Sequence, residues 1–200
     1  MPRNYSMDTR AAATDAVRHR ILEAALDELV AAPSGSLTLQ AVAARADLAV
    51  RTLYNHFPHR EALLTAAFID HTALSRAAVA AASVPHAHPA QQLQYLVEAY
   101  YTRYRDMGPR LTALLAVREL PALTTQIIEI RTWRHEVLTQ VIHTAHQAGL
   151  LTTTEPVAVA LTFTATSHAY WHMLTTELDT TTAPTITTNA LLAAILDNHP

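Results

Sequence analysis

The sequence contains no cysteine and no lysine, and only three of its 200 residues are glycine. Without cysteine the chain has neither disulfides nor thiolate metal ligands, which fits a reducing compartment. A glycine-rich phosphate loop, a nucleophile paired with a base and a catalytic pair of carboxylates are all missing, so we expect neither an enzyme nor a cofactor. No apolar run reaches the length of a membrane span and the N-terminus lacks a signal-peptide core, so we expect no membrane partner and a cytoplasmic location.

Half of the residues are hydrophobic and 16% are charged, which is typical of a globular chain. Two hundred residues exceed one minimal binding module, and the pattern predicts one small and one larger helical domain. Residues 1–60 carry seven arginines against six acidic residues, whereas residues 61–200 carry seven against eleven. A surface that faces phosphates is therefore expected in the N-terminal part.

Two short helices joined by a tight turn are predicted between Thr38 and Phe57, in the stretch TLQAVAARADLAVRTLYNHF. The first helix has inward residues at helical spacing: Leu39, Val42, Ala43 and Ala46. A break at residues 47–49 follows, and then Leu53 and Phe57 mark the inner face of the second helix. Pro58 ends that helix, because the residue before a proline is pushed out of the helical region.

The second helix also carries side chains that a hydrophobic core does not need. A guanidinium can pair with guanine, an amide with adenine, and hydroxyls can reach phosphates, so this composition favours a helix that reads a DNA groove. The alternative is an ordinary helical hairpin in which the aromatic side chains are partly buried and the arginine is solvated. The residues in question are Val50, Arg51, Thr52, Tyr54, Asn55 and His56.

The segment TLYNHFPHREALL, with AVAARA one turn upstream, resembles the N-terminal DNA-binding domain of the tetracycline-repressor (TetR) family of transcriptional regulators. The resemblance covers roughly residues 15–68 and has two departures. Asp47 stands where many members have glycine, so it is expected in the left-handed conformation. Ala49 stands where many have serine or threonine, so the second helix lacks a side-chain cap.

The resemblance implies a repressor that binds a palindromic operator in double-stranded DNA as a homodimer and responds to a small-molecule effector. By position in the motif, Arg51, Thr52 and Asn55 are expected to contact bases, together with Val50 and His56. Phosphate contacts are expected from Thr38, Tyr54 and Arg60.

The predicted fold is all-α, with a three-helix DNA-binding domain followed by a helical bundle that binds the ligand and dimerises. We assign residues 1–13 to a flexible arm, 14–60 to the DNA-binding domain and 61–200 to the second domain. One helix is predicted from Glu155 to about Leu178 and a last one near Ile186 to Leu196. Both are apolar almost all the way round, so one side should face the core and the other the second copy, through these last two helices.

A ligand pocket should be lined by apolar and aromatic residues with a few polar groups. The candidates, each of which also fits a plain core or dimer interface, are Tyr95, Tyr100, Tyr104, Trp133, His168, Trp171 and His172.

Two alternatives to this function stay open from the sequence. His168 and His172 lie four residues apart and can share a metal with His143 or His146, which would make a metal-responsive regulator. No acidic residue or cysteine accompanies them at a tight spacing, so we predict no metal site. The other alternative is a small-molecule-binding helical protein without DNA recognition, which Ala49 and the near-neutral N-terminal part favour.

Overall fold

The computed structural model describes residues 3–32, 37–82, 88–117 and 119–197. These ranges contain ten α-helices and no strand, and Leu151 and Leu196 form an isolated antiparallel bridge. The all-α prediction is confirmed. The helices are α1 Arg3–Ala31, α2 Leu39–Arg45, α3 Val50–His56, α4 Arg60–Ala82, α5 Pro89–Met107, α6 Pro109–Ala116, α7 Pro121–Gln147, α8 Glu155–Ala165, α9 His168–Leu174 and α10 Ala183–Ile195.

The chain divides into two compact units. The first comprises Met1–His71 with Pro109–Ile127, and the second comprises Thr72–Gly108 with Ile128–Pro200. This division differs from the predicted boundary after residue 60, because α6 and the start of α7 belong to the first unit. The α6 residue Arg110 is held there by carboxylates on α1, a long-range ion pair that helical periodicity does not reveal.

The predicted arm over residues 1–13 differs from the structure, in which α1 begins at Arg3. Residues 1 and 2 lie outside the described ranges. Residues 11–16 are exposed, so packing does not hold this part of the helix. Its alanine-rich composition and the lack of proline or glycine favour a helix by intrinsic propensity, which a search for an amphipathic pattern misses.

The core of the first unit is formed by α1, α2, α3, α6 and the first part of α4, with α1 packed against α2 and α6, and α2 against α3. Helix α1 contributes one apolar stripe that includes Ile21, Leu22 and Leu29, all of them buried. This stripe provides the platform on which α2 and α3 are held.

The predicted single helix from Glu155 to about Leu178 is wrong, because the chain breaks at Thr166 and Ser167 between α8 and α9. The Thr166 hydroxyl donates to the Thr162 carbonyl at 2.8 Å. The Ser167 side chain accepts from the Tyr170 amide at 3.2 Å and caps α9. Serine and threonine side chains compete in this way with the helical hydrogen bonds of the backbone.

Within the described residues no single helix is long and apolar enough to cross a membrane. Only the pair Pro109–Ala116 and Pro121–Gln147 meets that test, when taken together and with a bend of 120° between them.

Candidate functional site

The turn between α2 and α3 is a Schellman motif. The Leu48 amide donates to the Ala43 carbonyl at 2.9 Å and the Asp47 amide to the Ala44 carbonyl at 3.2 Å, which is the pairing that defines this helix end. Asp47 has a φ of 52°, so the predicted left-handed conformation is confirmed. An aspartate replaces the usual glycine here at a cost of about 1 kcal/mol.

The two helix starts differ as predicted. Thr38 caps α2, since its hydroxyl accepts from the Ala41 amide at 3.2 Å. Ala49 precedes α3, which has no side-chain hydrogen bond at its cap. Thr38 is exposed, so its side chain can be reached by a phosphate from solvent.

Helix α3 is anchored by Leu53 and Phe57, which are both buried. Successive residues of a helix are turned by about 100°, so Arg51 and Asn55 point away from this anchor and lie one turn apart. Both are exposed. The outward face of α3 thus presents one guanidinium and one amide side by side.

The remaining predicted residues of α3 lie on the two flanks of that face. Val50 and Tyr54 are exposed on one flank. Thr52 and His56 lie on the other flank and are half-buried, with the His56 ring 6.3 Å from the Phe57 ring. All six predicted α3 residues therefore have some access to solvent, and Arg51 and Asn55 have the most central position.

Four arginines of the first unit form ion pairs within it, namely Arg18, Arg45, Arg60 and Arg110. Arg18 lies 3.5 Å from Asp70, and Arg45 lies 2.8 Å from Glu28. Arg51, by contrast, has no ion pair in the part of the chain that the structure describes. Its charge is therefore available to a ligand outside the chain, as a phosphate or guanine contact requires.

Arg60, predicted to contact a phosphate, has a different position. Its Nη1 donates to Glu119 at 3.0 Å, its side chain is only 24% exposed, and its Nε and Nη2 are buried. A phosphate contact by Arg60 therefore requires that this ion pair open. The neighbouring His59 is the cap of α4, because its Nδ1 accepts from the Ala62 amide at 3.2 Å.

Six of the seven predicted ligand residues come together in the second unit. Tyr104 is at the centre, with ring centroids 6.4 Å from Tyr100, 5.8 Å from Trp171 and 5.4 Å from His168. His172 stacks on His168 at the edge, with a centroid distance of 5.9 Å. We call the following group the aromatic cluster: Tyr100, Tyr101, Tyr104, Trp133, Phe163, His168, Tyr170, Trp171 and His172.

Tyr95 is separate from this cluster. It is exposed and lines a groove of about 370 Å³ between α4 and α5. A second groove, of about 550 Å³, lies between α7 and α8. It is lined by His135 and Thr139 of α7 and by residues of α8 that include Glu155, Val159 and Phe163. This groove could not be predicted from the sequence, because it depends on how two helices pack.

Tyr101 and Arg134, which were not predicted from the sequence, hydrogen-bond to the end of α8 together with Tyr104. Tyr101 Oη donates to the Ala165 carbonyl at 2.7 Å, and Tyr104 Oη donates to the Thr166 carbonyl at 2.8 Å. Arg134 Nη1 also donates to the Thr166 carbonyl at 2.8 Å. The last carbonyls of a helix have no partner within it. These bonds satisfy the end of α8, which was not predicted.

Burial favours the uncharged form of three tyrosines and one histidine of the aromatic cluster. Burial raises the pKa of Tyr100, Tyr101 and Tyr104 above the ordinary tyrosine value. Burial, reinforced by His172, lowers the pKa of His168 from 6.5 to about 4. The charged groups that contact the rings are arginines, with Arg134 4.1 Å from the Phe163 centroid and Arg76 5.1 Å from that of Trp133.

The histidines named for a metal fall into two groups, and one of these is His143 and His146, which both face Glu155, with His146 Nε2 4.0 Å from its Oε2. His143 Nδ1 lies 3.1 Å from Glu155 Oε1, and its Nε2 lies 2.9 Å from Gln147. His168 and His172 are part of the aromatic cluster instead. Among the described residues no group of three histidines or acidic residues has a geometry that fits a metal ion.

Comparisons with known proteins agree with this geometry. Residues 21–67 match the family model described as bacterial regulatory proteins, tetR family. Among curated proteins, no sequence matches this chain.

Solved structures extend the likeness over nearly the whole chain. A tetR-family regulatory protein from Rhodococcus RHA1 is 24% identical with a TM-score of 0.72, over 90% of this chain and 98% of that one. NalD of Pseudomonas aeruginosa, the secondary repressor of the MexAB-OprM multidrug efflux pump, is 15% identical with a TM-score of 0.72, over 94% and 99%. The regulator FadR of Bacillus subtilis, in complex with stearoyl-CoA, is 16% identical with a TM-score of 0.71, over 88% and 98%.

The helix-turn-helix in the first unit and the helical second unit define a DNA-binding transcriptional regulator rather than an enzyme. Over residues 21–67, which hold the helix-turn-helix, the chain is similar to the tetR family of bacterial regulatory proteins.

Proposed function

We propose that the chain is a ligand-responsive repressor that binds a palindromic operator as a homodimer. The observation that supports this most strongly is the outward face of α3, where Arg51 is exposed and without an ion pair among the described residues. Asn55 lies one turn away on the same face. A guanidinium and an amide are the side chains best suited to guanine and adenine in the major groove.

The base contacts in this proposal come from Arg51, Thr52 and Asn55, with Val50 and His56 at the flanks of the same helix. Thr38 and Tyr54 contact phosphates, since both are exposed and carry hydroxyls. Arg60 joins them only if its ion pair with Glu119 opens on DNA. A regulator of chromosomal genes acts in the bacterial cytoplasm, and we assign the protein to it on that ground.

The homodimer forms through α8 and α10, which pack side by side. Helix α8 exposes Val157 at 46% and Leu161 at 42%, and α10 exposes Ile186 at 41%. Helix α10 has no charged residue, and α8 has only Glu155, at its first position. An exposed apolar face without charges favours association, and a symmetric dimer presents two recognition helices about 34 Å apart, the spacing of a palindrome.

Regulation requires that the effector bind one conformation of the protein better than another. A ligand in the second unit would favour a conformer whose two recognition helices are wrongly spaced, and the operator would be released by this difference in affinity. The complex of FadR with stearoyl-CoA supports the expectation of a ligand, although its identity in that protein does not carry over to this chain.

The proposal is tested by selecting bound sequences from a random pool of double-stranded DNA with purified protein at near-physiological salt. This salt suppresses binding that depends on phosphates alone. We expect enrichment of an inverted repeat whose half-sites are one or more helical turns apart. Enrichment of no sequence, or of a single unrepeated site, would contradict the proposed dimeric operator reader.

A further inference from the structure

Two hydrogen-bond donors in the aromatic cluster are buried without a partner. The Tyr100 side chain is 4% exposed and that of Trp171 is 6% exposed. Neither the Tyr100 hydroxyl nor the Trp171 Nε1 has a hydrogen-bond partner among the described residues. Buried polar groups are nearly always paired, so two unpaired donors in one cluster require an explanation.

The hydroxyls of two neighbouring tyrosines on α5 have hydrogen-bond partners within the same core. Tyr101, next in sequence to Tyr100, donates to the Ala165 carbonyl and also lies 3.0 Å from the Thr187 hydroxyl. Tyr104, one turn further along α5, donates to the Thr166 carbonyl. The unpaired donors are therefore specific to Tyr100 and Trp171. The rings of both residues pack against that of Tyr104, with centroid distances of 6.4 Å for Tyr100 and 5.8 Å for Trp171.

The surroundings of these donors limit the chemistry of a possible partner. Nearby charges are positive, since Arg134 contacts Phe163 and Arg76 contacts Trp133, so a cationic ligand is disfavoured. The surrounding side chains are flat aromatic rings, which favour offset stacking or edge contacts with another ring. An indole N–H can only donate a hydrogen bond, so the partner must supply an acceptor.

We propose that the aromatic cluster around Tyr104 is the effector site, and that Tyr100 and Trp171 donate hydrogen bonds to a carbonyl oxygen of a planar, uncharged aromatic ligand. This deepens the proposed function, on which it rests for the expectation that the second unit binds an effector. The ligand enters from the side of the half-buried His168 and the exposed His172, which stack at the edge of the cluster. Its carbonyl oxygen then supplies the acceptor that the folded chain does not provide.

The test is an NMR titration of the full chain, in which the tryptophan side chains are labelled with ¹⁵N. The two small probes have the same shape and are 1-indanone, which has a carbonyl oxygen, and indane, which has none. The chain has two tryptophans, so a Trp133→Phe variant assigns the Trp171 indole N–H signal. We expect 1-indanone to move this signal downfield, as a new hydrogen bond does, and to bind at least tenfold more tightly than indane. Equal affinities, or no shift of the Trp171 signal with 1-indanone, would overturn the proposal.

Two variants of neighbouring tyrosines give a matched comparison. Tyr100→Phe removes an unpaired hydroxyl, so the protein should fold normally and its preference for 1-indanone should fall to threefold or less. Tyr101→Phe removes a hydroxyl that is already bonded, so the Tm should fall while the preference remains. A preference that Tyr100→Phe leaves intact would contradict the role given to that hydroxyl.

The binding measurement contains no DNA, so it separates the site from the function. If 1-indanone binds as expected but the protein selects no operator, the site stands and the proposed repressor is wrong. If an operator is selected but neither probe distinguishes Tyr100→Phe from the wild type, the repressor stands and the site is wrong.

Discussion

Arg110 on α6 donates from its Nε to Asp27 on α1 at 2.7 Å. The same guanidinium donates from Nη1 to Glu23 at 2.7 Å, so it bridges two carboxylates one turn apart on α1. This fork attaches α6 to the helix-turn-helix unit.

Replacing Arg110 by alanine should therefore weaken the first unit. We expect Arg110→Ala to lower the free energy of unfolding by about 1 to 2 kcal/mol, because charge-assisted bonds are strong but these groups are partly exposed. Denaturant unfolding measures this change. Arg105→Ala is the matched control, since Arg105 is exposed on α5 and should leave stability within about 0.5 kcal/mol of the wild type. Equal effects of the two variants would argue against the fork.

The conformation of Asp47 gives a second prediction. Its φ of 52° favours glycine, so Asp47→Gly should raise the free energy of unfolding by about 0.5 to 1 kcal/mol. Alanine tolerates this conformation less well than aspartate, so Asp47→Ala should lower it. Denaturant midpoints of the two variants test the sign. A lower stability of Asp47→Gly would show that the aspartate side chain has another role.

The lowered pKa of His168 predicts a loss of stability in acid. Burial and His172 lower this pKa from 6.5 to about 4, so the unfolded chain binds a proton more readily below pH 6.5. The neutral His168 ring is fully compatible with the folded state near pH 7. As the pH falls from 6.5 to about 4, protonation of this histidine in the unfolded chain lowers the free energy of unfolding. His168→Phe keeps a ring and removes the titration. The difference in unfolding free energy between pH 7 and pH 5 should therefore be smaller in this variant than in the wild type.

The apolar face of α8 predicts which residues hold two copies together. We expect Leu161→Glu to convert a dimer to a monomer, since it places a charge in the centre of that face. Light scattering after size exclusion measures the mass. Met173→Glu makes the same change at an exposed residue of α9, outside the face, and should leave the dimer intact. If Leu161→Glu remains a dimer, as Met173→Glu does, the exposed face of α8 is not the dimer interface.

The sequence was most informative where local rules decide the structure. The α2–α3 turn, the left-handed Asp47 and the missing cap at Ala49 all follow from residue type and spacing, and the structure agrees. The helical start of α1 was not predicted, because propensity without amphipathicity gives no periodic signal. The break after α8 was missed because Thr166 and Ser167 are compatible with a helix until their side-chain hydrogen bonds are known.

Long-range relationships explain the remaining differences at the candidate site. Arg60 was predicted to contact a phosphate because its ion-pair partner, Glu119, is 59 residues away in the sequence and could not be foreseen. The ligand candidates were identified as aromatic residues, but their roles depend on hydroxyl partners from other helices. Tyr101 and Tyr104 bond to the end of α8, whereas Tyr100 does not, and spacing along α5 cannot distinguish these cases.

The most direct test of sequence recognition by α3 is the affinity of Arg51→Ala for the selected inverted repeat and for a scrambled duplex at near-physiological salt. Arg105→Ala is the control for the same loss of charge. We predict that Arg51→Ala loses about 1 to 3 kcal/mol of binding free energy for the repeat and much of its preference over the scrambled duplex. An affinity for the repeat that matches the Arg105→Ala control would contradict base recognition by Arg51.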